Sequence, residues 1–191
     1  MIPAAVIGSG LALAYIWKSG PSNTTRVRAA FDDQTYQVQE LPDKQAAAEL
    51  LAQLRADILK VRDEYKKSDG SMADPPIRRF VERFNPESLV ENDMGSDSTA
   101  YSENKGDVIV VCLRDKTQPP RFPLIDKNTL MFVLLHEMAH LMTETIGHTP
   151  EFWSNFRKIL HDSIQVGVYT QVNYAKSPVS YCGMTITDSP L

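Results

Sequence analysis

The sequence lacks an excess of positive charge and contains few cysteines. Lys and Arg total 20 against 24 Asp and Glu, which gives a formal net charge of −4. Nucleic-acid binding rests on clustered basic side chains against phosphates, so this balance disfavours a DNA- or RNA-binding protein. Only Cys112 and Cys182 are present, which is too few for a disulfide framework and favours a reducing compartment. Internal repeats, low-complexity tracts and nucleotide-binding loops are also missing.

Histidine is scarce but concentrated. Three of the four histidines fall between residues 136 and 148, and His136, Glu137 and His140 form an H-E-x-x-H motif. An α-helix turns about 100° per residue, so the two histidines share one face and can bind one ion. Glu137 lies beside them, in the general-base position of a zinc metallopeptidase.

A catalytic zinc needs a third protein ligand and one open position, and His148 is the leading candidate. In an unbroken helix His148 would lie about 12 Å further along the axis, so the chain has to turn first. Gly147 suits the end of a helix, and Thr149 and Pro150 suit the start of the next. Glu144 and Glu151 are alternative third ligands, or carboxylates that orient a histidine ring.

An alternative interpretation makes His136 and His140 polar members of a core helix and His148 a surface turn residue. It leaves Glu137 without a role among apolar neighbours, where an unpaired carboxylate is costly. The motif therefore favours metal binding.

The H-E-x-x-H motif is followed by Gly147-His148-x-Pro150-Glu151-Phe152. Together these runs resemble the SprT/Spartan-like and WLM groups of zincin metallopeptidases. The resemblance covers about thirty residues and implies zinc ligands at His136, His140 and His148, with Glu137 as the catalytic glutamate. The cysteine-rich zinc ribbon that often accompanies SprT domains is absent. Other short runs resemble uncharacterised membrane-associated proteins of large DNA viruses and protists; these runs are Asn104-Lys105-Gly106, Cys112-Leu113-Arg114 and Tyr181-Cys182-Gly183-Met184.

The N-terminus carries an uncharged segment, residues 2–17, that ends with Tyr15 and Trp17 and is followed by Lys18. A signal peptide normally has positive charge before its apolar run, and a buried helix would have to contain two glycines. The segment favours an N-terminal membrane anchor, although it is short for a bilayer of about 30 Å. The positive-inside rule then places the remaining chain in the cytoplasm.

Hydrophobic periodicity predicts the other elements. Alternation indicates a hairpin over Thr25–Gln39, and apolar stripes indicate helices over Asp43–Lys67 and Pro76–Phe84. Asn85–Lys105 is polar and is predicted as a long loop, either a rim of the substrate cleft or a plain surface excursion. The apolar run in Asp107–Arg114 is predicted as a strand covered on both faces.

The resemblance makes this strand the candidate for the edge of the cleft, where substrate would add as a further strand; its alternative role is simply that of sheet core. Asn128 is the predicted N-cap of the metal helix.

Tyr181 and Tyr174 are candidate donors to the developing oxyanion, because metallopeptidases often place a phenol there.

The sequence therefore predicts an α+β, minimal zincin-like domain after an N-terminal transmembrane helix. Its parts are an anchor over residues 1–20, a juxtamembrane segment over 21–42 and the metallopeptidase domain over 43–191. The predicted cofactor is Zn²⁺ and the predicted substrate is a protein or peptide. One alternative is a non-catalytic membrane-anchored scaffold whose zinc site is closed by Cys182 or His161. A second is a DNA-associated repair protease, suggested by the resemblance alone.

Overall fold

A computed structural model describes residues 23–96, 99–103 and 106–191. The predicted transmembrane anchor and membrane localisation are corrected, because no helix in these ranges is both long and apolar enough to cross a bilayer. The longest, α1 (Lys44–Lys67), carries charged side chains throughout, and the most apolar, α3 (Lys127–Met142), has only 16 residues. Residues 2–17, to which the prediction assigned the anchor, lie outside the described residues.

The N-terminal part of the described chain is a hairpin packed on a long helix. Strands β1 (Thr24–Arg28) and β2 (Thr35–Gln39) pair antiparallel, with Val27 opposite Tyr36, which confirms the predicted hairpin. Helix α1 follows and confirms the predicted apolar stripe, since Leu51, Leu54 and Ile58 are fully buried. The inward side chains of the hairpin belong to the same core as α1.

The predicted loop over residues 85–105 is partly wrong, because it contains two strands. Strands β3 (Leu89–Glu91) and β4 (Ala100–Glu103) flank β5 (Val108–Val111) in the order β3-β5-β4, parallel on one side and antiparallel on the other. The strand before the metal helix is thus the centre of this sheet, and its predicted role as the cleft edge is wrong. A three-residue strand carries too little alternation for a sequence pattern to reveal it.

Helices α2 (Pro75–Arg83), α3 and α4 (Pro150–Val166) form the layer that contains the H-E-x-x-H motif. Helix α3 is buried almost all round because it packs against the other helices and the sheet. Its N-cap is Asp126, whose carboxylate accepts a hydrogen bond from Thr129 N at 2.9 Å, so the predicted cap at Asn128 is wrong. Asn128 instead exchanges two hydrogen bonds with the backbone of Thr170.

The C-terminal part ends in a short hairpin of β6 (Val179–Tyr181) and β7 (Met184–Ile186). Cys182 and Gly183 form its turn with φ values of 49° and 86°, as a tight two-residue hairpin requires. Cys182 is bonded to Cys112, which directly follows β5. The expectation that the two cysteines are unpaired is therefore wrong, because the fold brings together residues that are distant in sequence.

Candidate metal centre

Helix α3 presents two imidazoles on one face, as the motif spacing predicts. The ring centroids of His136 and His140 lie 5.0 Å apart. His148 completes a triangle with them, at 4.9 Å from His136 and 5.1 Å from His140. One nitrogen from each ring lies within 4.8 Å of the others, and the Nε2 atoms of His136 and His148 are 3.0 Å apart. Three nitrogen donors therefore converge on one point.

The turn between the helices brings His148 back to α3. Thr143 ends α3 in an extended conformation, and Gly147 has φ 83°, which a residue with a Cβ adopts only with strain. Thr149 then caps α4 by accepting a hydrogen bond from Phe152 N, and Pro150 occupies the first turn. These two residues behave as the sequence predicts.

Two arginines of α2 hold this turn in place. Arg79 donates to Met142 O at 2.7 Å, and Arg83 donates to Leu141 O at 2.9 Å. The last carbonyls of a helix have no partner within it, so the guanidinium groups satisfy them and stabilise the end of α3. Sequence analysis missed both residues, although their spacing of four places them on one face of α2.

The two carboxylates predicted as alternative ligands lie outside the histidine cluster, Glu144 in the same turn and Glu151 in the first turn of α4. Glu151 accepts hydrogen bonds from the backbone N–H groups of Glu144 and Thr145 and pairs with Arg79 at 3.1 Å. Glu144 lies 3.7 Å from the same arginine. The Glu151 carboxylate thus organises the backbone that leads to His148.

Phe152 forms the base of the cluster. Its fully buried ring lies 4.8 Å from the ring of His136, 4.3 Å from that of His140 and 4.7 Å from that of His148. From the sequence, Phe152 has no predicted role beyond its place in the run that resembles the zincins. Its contact with all three imidazoles makes it a positioning residue, since its ring limits how far each of them can rotate.

Burial and mutual repulsion keep the two imidazoles of α3 neutral. Burial, with the nearby His140 and His148, lowers the pKa of His136 to about 3. Burial and His148 lower the pKa of His140 to about 4. Both imidazoles are therefore unprotonated at neutral pH, the state in which a ring nitrogen can bind a metal ion.

Glu137 is buried beside the cluster and is only 6% exposed. Burial raises the pKa of its carboxyl to about 7. No hydrogen bond or salt bridge to this carboxylate is found among the described residues. A carboxyl with a pKa near neutrality can both take and return a proton at physiological pH.

The cluster opens into a cavity of about 810 Å³. One wall is β4 with the preceding Thr99, and another is β7 with the residues that follow it. The turn that carries His148 forms a third side. The polar segment 85–105 therefore contributes to the cleft rim through its C-terminal end. A cleft of this size can take several residues of a peptide.

The two candidate tyrosines differ in position. Tyr181 lines the cavity and donates a hydrogen bond to Thr99 O at 3.1 Å. Burial raises the pKa of its phenol, and the nearby charge of Glu137 contributes to the same shift. Tyr174 packs under the site, 4.7 Å from the ring of Phe132, and does not line the cavity. Of these two candidates, only Tyr181 thus lies where a bound substrate could reach it.

The two candidate fourth ligands also lie apart from the cluster. Cys182 is in the disulfide, so its sulfur has no thiolate to offer a metal. His161 contacts Gln165 on the same helix. Among the described residues, the three histidines are the only group that could hold a metal ion.

Comparison with known proteins gives relatives in large DNA viruses, and no family model matches the chain. It is 28% identical to uncharacterised protein R325 of Acanthamoeba polyphaga mimivirus over 179 residues, which cover 93% of this chain and 89% of the relative. It is 40% identical to uncharacterised protein 042R of Invertebrate iridescent virus 3 over 86 residues, about half of each chain. The predicted resemblance to uncharacterised viral proteins is confirmed.

Among solved structures, the chain is similar to the crystal structure of Wss1 from Saccharomyces cerevisiae. The TM-score is 0.52 at 18% identity, and the match covers 68% of this chain and 86% of Wss1. At this identity the likeness shows a shared fold.

Proposed function

We propose that this chain is a zinc-dependent metallopeptidase that hydrolyses peptide bonds in protein or peptide substrates. The observation that carries the proposal is the convergence of three imidazoles in an open cavity, beside a buried carboxylate that has no partner among the described residues. The fold shared with Wss1 and the resemblance of the motifs to WLM and SprT-like zincins support it.

The donor set fits Zn²⁺. Three imidazole nitrogens leave one coordination position open, which distinguishes catalytic zinc sites from closed structural ones. His136, His140 and His148 would hold the ion. A bound Zn²⁺ would supply the Lewis acidity that polarises the scissile carbonyl and makes water acidic enough to react.

Glu137 performs the proton transfers in this proposal. Its carboxylate accepts the proton of the attacking water and then donates it to the leaving amine. Burial raises the pKa of this carboxyl to about 7 in the metal-free chain, and a bound cation would lower it toward the ionised form that accepts the proton. Tyr181, on the cavity wall, is the proposed donor to the oxyanion, and it would exchange its present bond to Thr99 O for that contact.

The two alternatives, a non-catalytic protein with a structural zinc site and a DNA-associated protease, receive less support. A closed structural zinc site needs a fourth ligand, and neither Cys182 nor His161 lies in the cluster. A DNA-associated protease needs basic side chains near its cleft, but Lys and Arg are absent from the described residues that line the cavity, where Glu137 and Asp188 carry the acidic charges.

The direct test is elemental analysis of the purified full chain together with cleavage of an unfolded protein such as casein. We expect about one zinc per chain, lost in both His136→Ala and His148→Ala. Glu137→Gln should keep the zinc and lose activity by roughly 10²- to 10⁴-fold, because it removes only the general base. A folded chain that binds no supplied zinc, or a Glu137→Gln variant with full activity, would contradict the proposal.

A further inference from the structure

Exposed apolar side chains concentrate around the candidate metal centre. Within the described residues, the exposed large hydrophobic side chains are Phe31, Met72, Ile146, Trp153 and Met184. Ile146 and Met184 line the cavity, and the Trp153 ring lies 5.7 Å from that of His148. Exposed apolar surface gathered at one place marks a binding site rather than incidental exposure.

The interior of the cavity continues this apolar surface. Phe132 and Val133 of α3 and Ile186 of β7 line it. Apart from the histidines, its charged lining residues are Glu137, which the proposed reaction uses, and Asp188. An apolar side chain would gain free energy by leaving water here, whereas an acidic one would meet two carboxylates.

The β6–β7 hairpin supplies an exposed part of this apolar surface, and the backbone of this hairpin is held in position by contacts with the central sheet. Met184 and Ile186 alternate with Thr185 along β7, so they share one face of the strand. The preceding turn is fixed to the central sheet by the Cys112–Cys182 disulfide. Tyr181 fastens β6 to the residue before β4 through its bond to Thr99 O. Met184, which is 48% exposed, thus stands on a backbone that the disulfide anchors.

We propose that Met184, with Ile186 on the same strand, determines substrate specificity by receiving an apolar side chain that flanks the scissile bond. The inference rests on the proposed peptidase function and names its substrate class. The substrates are unfolded or extended protein segments that expose leucine-, methionine- or phenylalanine-like side chains. A folded protein buries such side chains and would not offer them to the cavity.

The test measures binding separately from hydrolysis. Zinc-loaded full chain carrying Glu137→Gln is titrated into fluorescent alanine–serine decapeptides that differ at one central position, which is Leu, Lys or Glu. We expect the Leu peptide to bind about tenfold more tightly than the Glu peptide, the discrimination that one apolar pocket provides. Adding Met184→Asp should weaken the Leu peptide about tenfold and turn the preference toward Lys.

Met72→Asp in the same background is the matched control, because Met72 is also exposed but does not line the cavity. It should leave all three affinities unchanged. Equal affinity for the three peptides, or a Met184→Asp variant with unchanged preference, would overturn the inference. If the Leu peptide binds as expected but the zinc-loaded wild type does not cleave it, the proposed hydrolysis fails and the apolar peptide site stands.

Discussion

The Arg114–Glu91 cluster and the candidate metal centre each bury a carboxyl group, and they are built in opposite ways. In the first, Arg114 and Glu91 are each 1% exposed and pair at 2.8 Å. Glu91 also accepts a hydrogen bond from Gln39 N at 2.7 Å, and Arg114 reaches Asp43 at 2.8 Å. This cluster joins β3, the N-cap of α1 and the segment after β5, and it pairs opposite charges, although burial still raises the pKa of Glu91.

The second cluster is the candidate metal centre, where no opposite charge compensates the buried groups. Three imidazoles crowd together, and the pKa of Glu137 is raised by burial alone. Such an arrangement costs free energy in the metal-free chain, whereas a cation at the cluster would remove the cost. The comparison favours the candidate metal centre as the functional site, because its buried carboxyl has no compensating partner among the described residues.

The largest expected effect comes from breaking the compensated cluster. Arg114→Met should lower the free energy of unfolding by about 3–5 kcal/mol, because it leaves Glu91 buried without its partner. Chemical denaturation measures this value. Arg121→Met removes a similar side chain from an exposed position and should change stability by less than about 0.5 kcal/mol. Equal effects of the two substitutions would show that the buried pair is not a structural cluster.

The disulfide connects the two clusters, because Cys112 lies two residues before Arg114 and Cys182 adjoins the cavity residue Tyr181. Cys112→Ser with Cys182→Ser should lower the free energy of unfolding by about 2–4 kcal/mol, since the bond closes a loop with a sequence separation of 70 residues. Thermal melting of the oxidised wild type and this variant measures the difference. Identical melting curves for the two proteins would contradict it.

Removing the uncompensated carboxylate of Glu137 should raise the free energy of unfolding, whereas the two preceding changes lower it. In the metal-free chain at pH 8, Glu137→Gln should raise the free energy of unfolding by about 1–3 kcal/mol, because the folded-state pKa of about 7 exceeds the ordinary value of 4.5. The wild type loses stability as pH rises from 4.5 through 7. Over this range the unfolded chain has already released the Glu137 proton, whereas burial in the folded chain favours the protonated carboxyl. The gain from Gln should therefore disappear as pH falls to 4.5.

Denaturation at pH 8, 6 and 4.5 follows this dependence. Glu64→Gln on the exposed part of α1 serves as the control, with no gain expected at any pH. A gain for Glu137→Gln that is the same at all three pH values would contradict the assignment to this carboxyl.

The sequence predicted the parts that depend on local rules. Helical periodicity placed α1 and the two histidines of α3, and Thr149 with Pro150 placed the start of α4. Alternation over residues 25–39 predicted the first hairpin. The N-cap of α3 was predicted wrongly. Asp126 caps this helix in place of Asn128, because the position of a cap depends on where the preceding chain turns.

The site was predictable only in part. The spacing of His136 and His140 follows from the helix, and Gly147 indicated a turn that frees His148 to return. Nothing local indicates that Arg79 and Arg83 hold that turn or that Phe152 supports all three rings, because these contacts join three helices.

The sequence alone was enough to predict the helix that carries the H-E-x-x-H motif, the turn after it and the net charge of −4. Only the tertiary structure decided that β4 rather than β5 borders the cleft, that Cys112 and Cys182 are joined, and that Met184 faces the metal centre. Helix geometry is set by neighbours within four residues, whereas strand order and cavity walls depend on pairings across the whole chain.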